Sequence, residues 1–125
     1  MSWNTILFEK RGHTACITLN RPDVLNSISI EMMRERGTYL VATLTAPYQI
    51  AHRGLEAGIP SYMVDKGWQV LESHQDSFRR AVQAGVRIAM GTDQGTPVNK
   101  PGENAQELLQ MTALDLGDVA SFPFV

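Results

Sequence analysis

Hydrophobic and polar positions change rhythm along this chain. Residues 5–19 read TILFEKRGHTACITL, two β-rich runs on either side of Lys10-Arg11-Gly12, a pattern that predicts a β-hairpin. Asn20-Arg21-Pro22-Asp23 ends the second run, because Pro22 has no N–H to give to a ladder. Ser29 is a good cap for a helix over 30–36, and Gly37 is its left-handed stop. Residues 38–44, TYLVATL, predict a buried strand from their β-branched and aromatic content. Residues 45–60 contain Pro47, Gly54, Gly58 and Pro60 and read as a long connection, a length usually found beside a site.

The clearest helical period follows. With Ser61 as cap, Val64, Trp68, Leu71, Phe78 and Val82 make one apolar stripe, with Glu72, Asp76, Arg79 and Arg80 on the wet side and Gly85 as the stop. Residues 86–90 predict a short apolar strand, 91–102 a Gly/Pro-rich loop, and 103–114 a last helix. The tail 115–125, DLGDVASFPFV, has no period. From residue 38 the order is strand, loop, helix, strand, loop, helix, a βαβα unit with a parallel, right-handed crossover. The first 37 residues do not share that rhythm.

The 125 residues suffice for one modest domain; a whole α/β barrel takes about 250. At 43% hydrophobic and 19% charged the chain supports a folded core. A net charge of −2, with no stretch mixing dense Lys/Arg with aromatics, speaks against a nucleic-acid partner. Arg34, Arg36, Arg79 and Arg80 read as solvated helix faces. Cys16 is the lone cysteine, which excludes an internal disulfide and a cysteine zinc cluster; it reads as a small core residue. No apolar leader opens the sequence and no run approaches the roughly 20 residues of a membrane span. The expectation is a cytoplasmic protein with no membrane partner.

Asp93 is the candidate for chemistry. In VRIAMGTDQGTP, residues 86–97, an apolar run ends in Gly91-Thr92-Asp93, as when a buried parallel strand delivers a carboxylate to the open end of an α/β barrel. A carboxylate buried there calls for a metal, a cation or several N–H donors. On a divalent metal it could also accept a proton from coordinated water. The plain alternative is an Asp-Gln-Gly turn whose carboxylate caps backbone amides. His13, His52 and His74 form no HxH or HExxH pair. His52, in the long connection, is the histidine placed to face a site; His13 and His74 read as surface residues. Glu103 suits the positive end of the last helix. Ser27 and Ser29 have no neighbouring His/Asp partner, and Met32, Met33, Met63, Met90 and Met111 read as core filler. Gly91, Gly95 and Gly102 do not make a phosphate loop.

Two resemblances carry these residues further. Through RGTYLVATL, EAGIPSYMV, SFRRAVQAGVRIAMGTDQGTP and GENAQEL, residues 34–113 resemble the amidohydrolase superfamily, in its dipeptidase and imidazolonepropionase-like branch. The resemblance implies the last two β/α units of a TIM barrel, hence an α/β fold: a partial barrel fragment preceded by a β-hairpin. It implies hydrolysis of a C–N bond in a small peptide-like or cyclic amide substrate with zinc or another divalent metal. It makes Asp93 both a metal ligand and a catalytic proton shuttle. The family's HxH, its lysine or carboxylate and its further histidines belong to earlier strands and have no counterpart here, and Pro101 stands where a loop histidine is common.

Residues 3–33, through ACITLNRPDVLNSIS, resemble the N-terminus of the enoyl-CoA hydratase/isomerase (crotonase) family. The resemblances divide the chain into 1–33, a crotonase-like hairpin segment, and 34–125, an amidohydrolase-like segment, with a seam near SIEMMRERG. Such a join reads as a truncated, rearranged or misassembled reading frame or a built chimera. The expectation is an amidohydrolase fragment that is inactive alone, does not retain its metal, and self-associates through exposed sheet edges. The alternatives are a crotonase-type acyl-CoA binder and a non-enzymatic folded module.

Overall fold

A computed structural model describes residues 5–96 and 98–114; the tail 115–125 lies outside them. The hairpin is present. Strand β1 (Ile6–Arg11) pairs antiparallel with β2 (Thr14–Leu19), in register from Ile6↔Leu19 to Arg11↔Thr14. The turn is Gly12-His13, one step later than Lys10-Arg11-Gly12, because Gly12 at φ +62° supplies the left-handed first position of a two-residue loop. Cys16 pairs across from Glu9 and is half-buried, which corrects its reading as a core residue. On the other face Ile6 is buried, while Phe8, Ile17 and Leu19 are 51%, 61% and 42% exposed.

The hairpin is tied at its base. The Asn20 N–H donates to the Thr5 carbonyl at 2.8 Å, and the Thr5 hydroxyl to Glu35 Oε2 at 2.7 Å. A short 3₁₀ turn, Pro22–Val24, leads to helix α1 (Ile30–Arg36). That helix has the bounds its sequence predicts. Ser29 Oγ accepts from the Met32 N–H at 3.2 Å, and Gly37 at φ +60° ends it.

Strand β3 is Tyr39–Val41, shorter than the predicted run. The supposed connection after it is half helix: α2 spans Thr45–Arg53. This corrects the loop reading of 45–60. Pro47 sits in the first turn of α2, where no intrahelical N–H bond is lost, so it starts a helix rather than breaking one.

Helix α3 (Ser61–Gln83) is the long helix, with Pro60 before it and Gly85, at φ +73°, just after its end. Ser61 is its first residue rather than its cap. Val64, Leu71 and Phe78 are buried as the stripe predicts, but Trp68 is 47% exposed. Gly67 faces α2 instead. A Cβ there would lie 3.0 Å from Ile50 Cγ2 and 3.5 Å from the Ala51 nitrogen, so the two helices meet too closely for a large side chain. Met63 and Met90 are also exposed, unlike Met32 and Met111, which do fill core positions.

Strand β4 (Arg87–Ala89) lies parallel to β3, pairing Tyr39↔Arg87, Leu40↔Ile88 and Val41↔Ala89. Helix α4 (Ala105–Ala113) follows the Gly/Pro loop. The βαβα order predicted from residue 38 is thus present, with an additional helix in the crossover. Ala42, Leu44, Phe78, Ala81, Val86, Ile88, Met111 and Leu114 form the core beneath one face of this pair. On the other face Tyr39, Val41 and Arg87 are exposed, the Arg87 guanidinium 5.7 Å from the Tyr39 ring centroid. The hairpin and the parallel pair are separate two-stranded sheets, and no barrel is closed among the described residues.

Candidate functional site

The loop after β4 carries the candidate acid. Past Ala89 the chain crosses close over β3: a Cβ added at Gly91 would come within 2.3 Å of Val41 Cγ1. Asp93 follows, exposed, with φ +50°. The cost of burying a lone carboxylate therefore does not arise at Asp93. Its backbone carbonyl accepts two hydrogen bonds, from Thr96 Oγ1 at 3.0 Å and from Asn99 Nδ2 at 3.1 Å. Asn99 is 1% exposed, and its amide also donates to the Thr92 carbonyl. Gly95 N–H donates to the Asn99 carbonyl, and Asn99 N–H to the Thr96 carbonyl, both at 3.1 Å. Residues 92–96 and 98–99 are thus tied to one another.

Left-handed backbone gathers at this end of the sheet. Thr43 (φ +51°) follows β3; Asp93 and Val98 (φ +62°) follow β4. For β-branched Thr43 and Val98 that conformation is strained, and strain of this kind persists where surrounding contacts over-determine it.

Glu107 is the contact that the sequence reading missed. It is wholly buried on α4, and its carboxylate accepts from the Leu44 N–H (2.8 Å), the Thr45 N–H (2.8 Å) and the Thr45 hydroxyl (2.7 Å). These are orphan donors at the start of α2, so a residue some 60 positions away caps that helix. The available signal was Glu107 in line with Met111 and Leu114, an acid on an otherwise apolar helix stripe.

The other candidates are dispersed. His52 lies on α2, not in a loop; it is exposed, its ring 4.1 Å from that of Tyr48 and 4.6 Å, edge-on, from Trp68. His74 is half-buried beside Phe78, Ser77 and Ile30 in a groove of about 400 Å³ between α1 and α3, so it is not simply a surface residue. His13 is exposed at the hairpin turn. Glu103 precedes α4 and lies 3.5 Å from the Arg53 guanidinium. Ser29 is engaged as the α1 cap, and the Ser27 carbonyl accepts from Arg21.

Among the described residues no three His, Cys, Asp or Glu side chains are grouped to hold a metal ion. Asp93 offers one carboxylate, whereas a zinc centre takes three or four protein ligands. The described residues of one copy do not fit a divalent metal site.

The model of the amidohydrolase family matches residues 7–121. The chain belongs to the amidohydrolase family. The match takes in β1 and β2 as well as the β3–α4 region. No curated protein and no solved structure matches the chain. Amidohydrolase domains are TIM barrels; the described residues hold a parallel β3–β4 pair with its core on one face, and no closed barrel. No helix among its described residues is long and apolar enough to cross a membrane.

Proposed function

We propose that this chain supplies the last two β/α units of an amidohydrolase of the dipeptidase and imidazolonepropionase-like branch, and that Asp93 is their acidic residue. The reaction of that class is hydrolysis of a C–N bond in a small peptide-like or cyclic amide. The observation that carries the proposal is the parallel β3–β4 pair, which leads directly into the Asp93 loop. No group of three metal-ligating side chains is gathered among the described residues, which supports the reading that a single copy does not hydrolyse such substrates. The test is an assay of dipeptide and cyclic-amide hydrolysis, with and without added zinc. The proposal expects no turnover above a matched blank. Turnover that co-purifies with the chain and is lost in Asp93→Asn overturns the inactivity while supporting the role of Asp93.

Self-association belongs to the same proposal, as does a cytoplasmic location, which rests on the lone cysteine. Two two-stranded sheets leave strand edges open, and Ile17, Leu19, Tyr39 and Val41 stay exposed beside them; open edges and apolar faces recruit further chains. Sedimentation velocity is expected to show a mass that grows with concentration, reduced by Ile17→Lys. A monomer at every concentration contradicts this part.

The separate sheet of the hairpin supports a second reading, an acyl-CoA-binding segment over 1–33. The family match beginning at residue 7 weighs against it. Calorimetry with coenzyme A decides: on the first reading the chain gives no binding heat, on the second it gives heat that deletion of 1–33 removes.

A further inference from the structure

We propose that Asn99 is a positioning residue for Asp93: its buried amide grips the Thr92 and Asp93 carbonyls and fixes the left-handed turn that displays the Asp93 carboxylate, with no metal taking part. The inference rests on the reading of Asp93 as the acid of the strand tip. Asn99 Nδ2 donates to both carbonyls, and the Asn99 side chain is almost wholly enclosed. The Asn99 backbone meanwhile closes the ring through Gly95 and Thr96.

A donor is what the place demands. Two carbonyl oxygens converge on one nitrogen, and a non-glycine residue at φ +50° is held only if its neighbours enforce it. A carboxylate in the same volume has no donor and faces two oxygens; once protonated it regains one O–H. Among the described residues, the groups that titrate or carry charge around this loop include Asp93 itself, Lys100 next along the chain, Arg53 and Glu56 across a shallow pocket lined by Val98 and Lys100, and Glu103, which pairs with Arg53 and donates its N–H to the Lys100 carbonyl. All of them are shared by the variants compared below.

The test uses the full ¹⁵N-labelled chain with Asn99→Ala and the near-isosteric Asn99→Asp. Two readouts serve: exchange protection of the Gly95 amide, and the strong intraresidue HN–Hα NOE of Asp93 that a left-handed φ produces. At neutral pH both variants are expected to lose at least tenfold in Gly95 protection and to weaken the Asp93 NOE. On acidification through about pH 4, the ordinary range of a carboxyl, Asn99→Asp is expected to recover both signals and Asn99→Ala neither. Identical pH profiles in the two variants, or an Asp93 NOE that survives both, overturn the assignment. Should Asn99→Ala melt the whole chain, Thr96→Val removes the other donor to the Asp93 carbonyl and is expected to weaken the same NOE; an unchanged NOE again overturns it. Neither readout depends on hydrolysis or zinc, so the clamp and the proposed role of Asp93 fail separately.

Discussion

Glu107→Leu is expected to lower stability by roughly 3–5 kcal/mol, the sum of leaving three enclosed donors without an acceptor at about 1–3 kcal/mol each, less what local relaxation recovers. The donors are the Leu44 and Thr45 N–H groups and the Thr45 hydroxyl, all held by one carboxylate. Leu44 and Thr45 are each 1% exposed, so water does not reach them without local opening. A loss of that size is a large share of the 5–15 kcal/mol typical of a domain. Glu107→Gln keeps one acceptor oxygen and is expected to lose about half as much. Urea unfolding followed by circular dichroism measures both, read as a shift in midpoint at constant slope. An unshifted midpoint for Glu107→Leu would show that α2 does not depend on α4 for its cap.

Phe78→Ala is expected to cost about 3–4 kcal/mol, the low end for a buried phenylalanine. Phe78 is 1% exposed and sits in the same core cluster as Ile88 and Met111. It also lines the groove between α1 and α3, so the space left behind opens toward that groove rather than closing as an empty cavity. That keeps the loss below the upper limit. The same urea titration reads it; a loss under about 1 kcal/mol would mean that α3 does not rest on the sheet through this ring.

These two residues show what a sequence can and cannot disclose. Helix α1 was legible to the residue because its signals are local: Ser29 bonds three positions ahead, and Gly37 turns left-handed at the stop. Phe78 was legible from the α3 period, and the parallel β3–β4 pair from a strand, a crossover and a second strand. Helix α2 was not, because its cap comes from Glu107, and Pro47 in its first turn looks like a breaker when read without that cap. Trp68 was misplaced for a related reason. Periodicity favours the largest apolar residue, whereas close approach of two helices selects the smallest, Gly67. At the candidate site, the place of Asp93 after a short strand could be read from the order of residues. Its exposure could not, nor could the grip of Asn99, since both depend on how Asn99 comes back to the Thr92 and Asp93 carbonyls.

Zinc content per chain is the most direct test of the central claim, that the Asp93 carboxylate, with no group of metal ligands gathered among the described residues, does not make a metal centre. The chain would be stripped with a chelator, equilibrated by dialysis against micromolar zinc, and its bound metal measured beside Asp93→Asn. The account predicts far less than one zinc per chain and no difference between the two proteins. One zinc per chain, lost on Asp93→Asn, would contradict it.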